Sequence, residues 1–173
     1  MPSPIKFAHV VLRTARFDEM LAWWTNVLEA DVRFGNDFIA FLSFDDEHHR
    51  VAMINAPLRD QEVGRAGVDH VAYTYASVDD QFATYARLKS QGVEPYWMIH
   101  HGGTLSAYYR DPDGNQIELQ VDAMSMEDTD GFMRSPLFAA NPIGINVDFD
   151  DLIARYEGGA SEASILAYPV ASA

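Results

Sequence analysis

Histidine is the residue type in this sequence most able to do chemistry, because imidazole binds transition metals and exchanges protons near neutral pH. None of the six histidines lies in a predicted helix. They are His9, His48, His49, His70, His100 and His101. The chain has no cysteine, which excludes disulfides, thiolate zinc sites and cysteine-ligated iron–sulfur clusters. Any transition metal would therefore bind through histidine, carboxylate or water.

One glutamate stands out in the stretch from His100 to Gln120, which reads HHGGTLSAYYRDPDGNQIELQ. Its DPDGN core is typical of a turn, because the proline pre-sets φ and the glycine or asparagine after it can take left-handed backbone. A strand should follow, with Glu118 on the face opposite to Ile117 and Leu119. Glu118 therefore points away from the apolar core. Taken alone, it would be an ordinary solvated glutamate.

The elements that must position these residues occur twice along the chain, at a constant offset. The segment VDHVAYT at 68–74 matches FAHVVLR at 7–13, so His70 takes the position of His9. A strand, a helix and three strands are predicted in each half. Two copies are too few for a solenoid. The sequence therefore predicts an α+β fold of two βαβββ modules whose sheets face a shared cavity.

Each module contributes one amphipathic helix. The first, FDEMLAWWTNVLEA, contains the pair Trp23 and Trp24, which is more typical of core packing than of a ligand platform. In the second helix, Ser77 with Asp80 resembles a capping box, and Gly92 is placed to end the helix. Both helices are expected to pack their apolar stripe against the sheet of their own module.

The module boundaries follow from the repeat. We place the first module at 1–64, the second at 65–122, and a C-terminal extension at 123–173. In the extension the pattern weakens, with one short helix predicted around Asp150–Tyr156. We expect this tail to wrap a surface or an adjacent subunit. Its last dozen residues, rich in glycine, alanine and serine, are expected to be partly disordered.

Equivalent positions in a quasi-twofold arrangement would bring His9 and His70 together where the modules meet. With Glu118 they would form two imidazoles and one carboxylate on one side of an open site, which suits non-haem Fe(II) and also accepts Mn(II). If the offset between His9 and His70 persists, a matching carboxylate in the first module would stand at position 57, but Pro57 is there. The sequence therefore predicts three protein ligands. Without these companions, the histidines would be ordinary core or interface residues.

Residues 5–122 resemble the vicinal oxygen chelate superfamily, which includes glyoxalases, bleomycin resistance proteins and extradiol dioxygenases. In detail they are similar to its small two-module extradiol ring-cleavage dioxygenases, which act on dihydroxybiphenyl-like catechols. Three segments carry this resemblance, namely FLSFDDEHHRVAM, VDHVAY and IHHGGTLSAYYRDPDGNQIE. The resemblance implies a cupped sheet shared by the two modules.

The resemblance also implies roles for individual residues. His49 would be the acid–base residue, His101 and Tyr108 would lie near the substrate, and His70 and Glu118 would bind the metal. A histidine with a pKa near working pH suits proton delivery, and the other two side chains can hydrogen-bond a substrate oxyanion.

Two departures from the family pattern affect details of the pocket. Ala107 stands where the signature usually has a larger apolar residue. The short spacing between the histidine pair and the tyrosine pair leaves His100 versus His101 and Tyr108 versus Tyr109 open. We expect His48 to be exposed or to have only a supporting role.

These features predict an Fe(II)-dependent enzyme that cleaves a catechol-type aromatic diol next to its hydroxyls, with both atoms of O2 entering the product. One alternative is a metal-dependent lyase or isomerase of the glyoxalase type, which would want a fourth protein ligand. The other is a metal-free protein of the same fold that binds an antibiotic or another small molecule.

Composition restricts the partners. A net charge of −14 and an isoelectric point near 4.5 argue against a nucleic-acid surface or an anionic membrane surface. The sequence shows no secretory leader pattern and no apolar run long enough to span a membrane, so a cytoplasmic location is expected. The family resemblance and the loose tail favour a homodimer or a larger homo-oligomer.

Overall fold

The computed structural model describes residues 7–47, 49–56 and 68–169. These residues divide into two compact units, one formed by the residues up to 56 with the turn Asp111–Asn115, and the other by the remaining residues from 68 onward. Each unit carries a mixed sheet and helices, which confirms the predicted α+β class. The predicted boundary between residues 64 and 65 lies outside the described residues.

The first unit follows the predicted βαβββ order. Its elements are β1 (Val10–Thr14), α1 (Phe17–Leu28), β2 (Asp31–Gly35), β3 (Ile39–Ser43) and β4 (Val51–Asn55). The strand order is β1-β4-β3-β2, with β1 parallel to β4 and the other pairs antiparallel. Strand β1 begins at Val10, so His9 precedes it, whereas the matching His70 is the first residue of β5.

Helix α1 buries the stripe that its spacing predicts. Met20, Trp24 and Val27 are at most 1% exposed, and the acidic residues of the first turn favour the positive end of the helix dipole. The helix ends at Glu29, which takes left-handed backbone with φ of 48°. The prediction that Trp24 is a core residue is confirmed.

The second unit repeats this order and adds the C-terminal extension. Its repeat elements are β5 (His70–Tyr75), α2 (Val78–Ser90), β6 (Trp97–His100), β7 (Thr104–Arg110) and β8 (Gln116–Asp122). The extension adds α3 (Met126–Met133), α4 (Pro136–Ala140), β9 (Ile145–Asn146), α5 (Phe149–Glu157) and α6 (Glu162–Ile165). The strand order is β5-β8-β7-β6-β9, and β5 pairs with β8 in parallel.

Helix α2 has the predicted caps. The Ser77 hydroxyl accepts a hydrogen bond from the Asp80 backbone N–H at 3.2 Å and donates to the Asp80 carboxylate at 2.8 Å. Gly92 follows the helix with φ of +75°, the left-handed conformation that closes a helix. The Gln81 side-chain amide donates to the carbonyls of Leu105 and Leu119, which fixes α2 against one face of the sheet.

The extension packs on its own unit. The Phe149 ring contacts the rings of Phe82 and Tyr85 on α2, with centroids 5.7 and 5.3 Å apart. Strand β9 adds to the sheet edge at β6. The tail was expected to wrap either a surface or an adjacent subunit. Its described part packs on the surface of its own unit. The predicted helix is present as α5, and residues 170–173 lie outside the described residues.

Among the described residues, no helix has both the length and the apolar character needed to span a membrane.

The turn between β7 and β8 is organised by one buried carboxylate. Asp111 is 4% exposed, and its Oδ1 accepts the backbone N–H groups of Asp113 at 3.0 Å and Asn115 at 2.8 Å. Its Oδ2 accepts the indole N–H of Trp24 at 3.1 Å and the side-chain amide of Asn115 at 2.7 Å. Gly114 takes the predicted left-handed conformation, with φ of +85°.

Asp111→Ala should lower the free energy of unfolding by roughly 2–4 kcal/mol, because each buried donor left without an acceptor costs about 1–3 kcal/mol. Urea unfolding followed by circular dichroism measures this change. Asp46→Ala, at an aspartate in the β3–β4 turn, is the matched control and should stay close to wild type. Equal stabilities for the two variants would contradict the role assigned to Asp111.

Candidate active site

Strand register brings three chemically distinct side chains into one row across the second sheet. Glu118 on β8 lies opposite Ala72 on β5 and Tyr108 on β7, and Tyr108 lies opposite Trp97 on β6. Directly paired residues point to the same side of a sheet, so this row shares one face. His70, two residues before Ala72, points to that face as well. We call this surface the site face; the opposite face packs against α2.

His70 and Glu118 meet on the site face. The His70 Nε2 atom lies 3.1 Å from Oε2 of Glu118, whose side chain is only 6% exposed. The other ring nitrogen, Nδ1, lies 2.8 Å from the Asp69 carboxylate. A carboxylate that accepts the Nδ1 proton fixes the ring and leaves Nε2, beside Glu118, as the nitrogen able to bind a metal, which is the usual support of a metal-binding histidine.

His101 and Tyr108 form a second pair beside this carboxylate. His101 Nδ1 lies 2.5 Å from the Ile143 carbonyl oxygen, and its Nε2 lies 3.0 Å from the Tyr108 hydroxyl. A carbonyl can only accept, so Nδ1 carries a proton, and Nε2 lies beside the phenol, whose hydroxyl also hydrogen-bonds the Glu118 carboxylate. His101 Nε2 is also 3.9 Å from Glu118.

Burial raises the pKa of the Tyr108 phenol, and the negative charge of Glu118 raises it further. The phenol is 5% exposed and therefore stays protonated at neutral pH. It is therefore a hydrogen-bond donor beside the acceptor Glu118.

The structure separates the two histidines and the two tyrosines that the sequence left open. His100 is 1% exposed and points to the helix side, where its Nδ1 accepts the Gly102 N–H at 3.1 Å and its Nε2 lies 2.9 Å from the Leu166 carbonyl. Tyr109 is buried on that same side. His101 and Tyr108, rather than their neighbours, therefore reach the site face.

The first unit holds the other two predicted residues together. The His49 ring stacks on Phe41, with centroids 4.5 Å apart and planes 14° apart, and lies 4.3 Å from the His9 ring. Arg50 supports both segments: it pairs with Asp45 at 2.8 Å and donates to the Ala8 carbonyl at 3.0 Å. His48 lies outside the described residues.

The cross-strand rows of the two sheets correspond. They are Phe34, Phe41 and Ala52 in the first sheet, and Trp97, Tyr108 and Glu118 in the second. The register pairs Val11 with Ala52 in the first sheet. Ala72, which takes the position of Val11 in the repeat, pairs with Glu118 in the second. The same row is apolar in one unit and polar in the other.

This register corrects the position expected for a fourth ligand. The expectation of position 57 is wrong, because the counterpart of Glu118 is Ala52, which lies earlier in the chain. The connection after α2 has six residues whereas the one after α1 has two, so the offset of the helices does not persist to the last strand. Ala52 is 2% exposed and has no side chain able to bind a metal. Pro57 lies outside the described residues.

The predicted site residues thus fall into two groups. His70, Glu118, His101 and Tyr108 meet in the second unit, whereas His9 and His49 meet in the first. Within either unit, the described residues include no group of three or more histidine and acidic side chains placed to hold a metal. A triad that includes His9 remains a prediction.

Sequence reasoning missed three contributors to the site face. Asp69 supports His70, the Ile143 carbonyl supports His101, and the Trp97 ring stacks on Tyr108 with centroids 4.8 Å apart. The contact between Asp69 and His70 could have been predicted, because the two residues are adjacent in the sequence. The contact between the Ile143 carbonyl and His101 could not, because every residue has a backbone carbonyl.

Comparison with known proteins agrees with this architecture. Residues 6–119 match the family model described as the Glyoxalase/Bleomycin resistance protein/Dioxygenase superfamily. The chain is 45% identical to Biphenyl-2,3-diol 1,2-dioxygenase 2 of Rhodococcus globerulus over 86% of its own length and 80% of the relative. It is 35% identical to Biphenyl-2,3-diol 1,2-dioxygenase 3 of the same organism over 92% of its length and 86% of the relative.

A solved structure extends the likeness to the fold. The fosfomycin resistance protein of Listeria monocytogenes, crystallised with Mn(II) and sulfate, superposes with a TM-score of 0.58 at 16% identity. The match covers 75% of this chain and 99% of that protein.

The buried His100 should make stability depend on pH. Burial lowers the pKa of His100, so in the unfolded chain this residue takes up a proton more readily than in the folded one. Stability should therefore fall as pH drops below about 6.5, by at most about 1.4 kcal/mol per pH unit for this one proton. His100→Gln should reduce that slope. Urea unfolding at pH 7.5 and 5.5 measures it, and parallel slopes would contradict the assignment.

Proposed function

We propose, from the premise that this chain belongs to the glyoxalase/bleomycin resistance protein/dioxygenase superfamily, that it is an Fe(II)-dependent extradiol dioxygenase. Its substrates would be a catechol-type aromatic diol and O2. The observation that carries this proposal is the 45% identity to a biphenyl-2,3-diol 1,2-dioxygenase over most of both chains. The residues of the site face and the His9–His49 pair supply the groups that this reaction requires.

The proposed metal ligands are His9, His70 and Glu118. The second unit fits this role, because a buried carboxylate lies 3.1 Å from an imidazole nitrogen whose partner nitrogen is engaged by Asp69. Two imidazoles and one carboxylate suit Fe(II), and Mn(II) is also compatible. When bound, the metal supplies Lewis acidity toward the diol and the redox chemistry for O2.

His101 and Tyr108 would bind and orient the diol. The phenol of Tyr108 stays protonated and can donate to a deprotonated diol oxygen, which stabilises the negative charge as it develops. The His101 ring, held at Nδ1 by the Ile143 carbonyl, contacts that phenol through its Nε2. The buried setting strengthens both contacts because water is excluded.

His49 would move protons. Its ring is held between Phe41 and His9, so it has one orientation in which to accept a proton from the diol and return it later. In the net reaction the carbon–carbon bond next to the hydroxyl-bearing carbons breaks, and both oxygen atoms of O2 enter the ring-opened product. A homodimer or larger homo-oligomer is part of the same proposal.

The register argues against the alternative of a glyoxalase-type lyase. Such an enzyme would want a fourth protein ligand on the strand that corresponds to β8, but the corresponding residue is Ala52. Metal content tests the alternative of a metal-free binding protein, because His70 at 3.1 Å partners the buried Glu118 carboxylate whether or not a metal is bound.

Anaerobic reconstitution with Fe(II), followed by addition of 2,3-dihydroxybiphenyl and O2, should consume one O2 per diol and give a yellow ring-opened product. Oxygen uptake and visible absorbance measure the two events. Glu118→Gln should lower metal content and abolish uptake, whereas Glu94→Gln, at a glutamate in the loop before β6, should match wild type.

Two other results of this experiment would each favour one of the alternative functions. Bound metal without oxygen uptake on any catechol would favour the lyase or isomerase. No bound metal at all would favour the binding protein.

His49→Ala should lower kcat by about 10²–10⁴-fold, the usual contribution of a general acid–base residue, while metal content stays that of wild type. His48→Ala is the matched control at the neighbouring histidine and should keep most of the activity. Steady-state kinetics with metal analysis test both variants. Loss of metal from His49→Ala would assign His49 to the metal instead.

A further inference from the structure

The C-terminal extension reaches the site face through one short segment, Ile143–Asn146. Strand β9 pairs with β6, with Ile145 opposite His100 and Asn146 opposite Ile99. The chain just before β9 passes over the end of β6, where the Ile143 carbonyl meets His101. The extension is therefore in direct contact with the strand that carries Trp97 and with the histidine that follows it.

The first contact orients His101. The Ile143 carbonyl lies 2.5 Å from His101 Nδ1 and accepts the proton of that nitrogen, so the ring presents Nε2 to the site face. The Tyr108 hydroxyl lies 3.0 Å from Nε2. Without the carbonyl, either nitrogen of the ring could carry the proton and the ring could turn.

The second contact holds the Trp97 ring. The indole N–H donates to Asn146 Oδ1 at 2.8 Å. The same ring stacks on Tyr108, with planes 29° apart, and stands edge-on to His101 at 87° with centroids 5.7 Å apart. Trp97 is half-buried, so part of its ring remains available beside the phenol. Asn146 thus fixes a flat aromatic surface next to the proposed substrate-binding phenol.

The segment is itself braced. The Asn141 side chain donates to the Gly144 carbonyl at 2.6 Å and accepts the Gly144 N–H at 3.1 Å, which closes the bend that aims the Ile143 carbonyl. Gly144 has φ of +115°, and a Cβ there would collide with the His100 carbonyl oxygen. Only glycine permits this approach of the extension to β6.

We propose that Ile143–Asn146 is a positioning element of the diol site: the Ile143 carbonyl holds His101, and Asn146 holds Trp97 as the wall against which a second ring on the diol stacks. This inference rests on the proposed function and deepens it by naming the residues that would favour a diol with an aryl substituent, the kind of substrate for which the relatives are named. Trp97 and Asn146 are then residues that determine specificity.

The Trp97 indole should contact diols that carry a second ring but not catechol. A second ring on the diol can stack on the indole in an offset or edge-on arrangement, whereas catechol itself has no ring to place there. An indole that is free to change rotamer has to be ordered when the substrate binds, which weakens binding. Loss of the Asn146 contact should therefore affect diols with a second ring and spare catechol.

The test compares 2,3-dihydroxybiphenyl with catechol on the Fe(II)-loaded full chain. Asn146→Ala should lower the ratio of the two kcat/KM values by about threefold to tenfold, the range expected for one hydrogen bond. The loss should appear mainly in KM. Asn146→Asp keeps an acceptor for the indole N–H and should restore the ratio. In a Trp97→Phe background, Asn146→Ala should have almost no further effect, because the shared hydrogen bond is already absent.

A second readout does not depend on turnover. Anaerobic calorimetry should give a dissociation constant for 2,3-dihydroxybiphenyl that rises by about threefold to tenfold in Asn146→Ala, with the value for catechol unchanged. An unchanged ratio in both readouts, or an equal loss for both diols, overturns the inference.

Gly144→Ala tests the backbone part of the element. The added Cβ should displace the Ile143 carbonyl and lower kcat for both diols by about tenfold, the size of one well-placed hydrogen bond. Gly159→Ala is the matched control, because Gly159 also has positive φ, +96°, but a Cβ there meets no atom within 4 Å. Thermal unfolding confirms that each variant is folded. Wild-type kcat in a folded Gly144→Ala overturns the role of Ile143.

Failure of the inference is distinguishable from failure of the proposed function. If wild type cleaves neither diol, the proposed function fails and the binding ratio alone decides the role of Asn146. If wild type binds neither diol, both proposals fail. If wild type cleaves 2,3-dihydroxybiphenyl but Asn146→Ala keeps its preference, only the inference fails.

Discussion

The register between β7 and β8 is the constraint on which the rest of the site depends. It places Tyr108 directly opposite Glu118, so a phenol and a carboxylate share one face and are both buried. A slip of β8 by one residue would turn Glu118 toward α2 and would leave a charge in the apolar core. The turn that fixes this register is held by Asp111, whose carboxylate accepts hydrogen bonds from the turn backbone and from Trp24. The same turn therefore makes the buried contact between Asp111 and Trp24 and sets the pairing of Tyr108 with Glu118.

The internal repeat gives the two units the same scaffold but different chemistry. Where the second unit has Tyr108 and Glu118, the first has Phe41 and Ala52 at the corresponding positions. The apolar row of the first unit positions a histidine, because the His49 ring stacks on Phe41. Duplicated strands can therefore carry different side chains: one sheet presents the proposed ligands Glu118 and His70, and the other presents an imidazole held by aromatic packing.

Much of this arrangement could be predicted from the sequence, because local patterns decide it. Period-two alternation placed Glu118 away from the core, and the turn residues located the hairpin. The constant offset between the modules identified the helices, but it failed for the last strand, since inserted loop residues change the spacing without changing the pairing; Ala52, not the residue at position 57, corresponds to Glu118. The choice between His100 and His101 also needed the structure, because adjacent residues at a strand end differ only in the side to which they point.

The contact least predictable from the sequence is the one that the C-terminal extension makes with His101, and the reason is physical. Ile143 acts on His101 through its carbonyl oxygen, which every residue type has, so no side-chain pattern marks the position. The informative residues are instead those that shape the backbone: Gly144, which permits the close approach to β6, and Asn141, which closes the bend. Under the proposed function, the tail can change substrate preference while the proposed metal ligands stay the same. Asn146 is the side chain of the tail that would mark such a change in a sequence, because it holds the Trp97 indole.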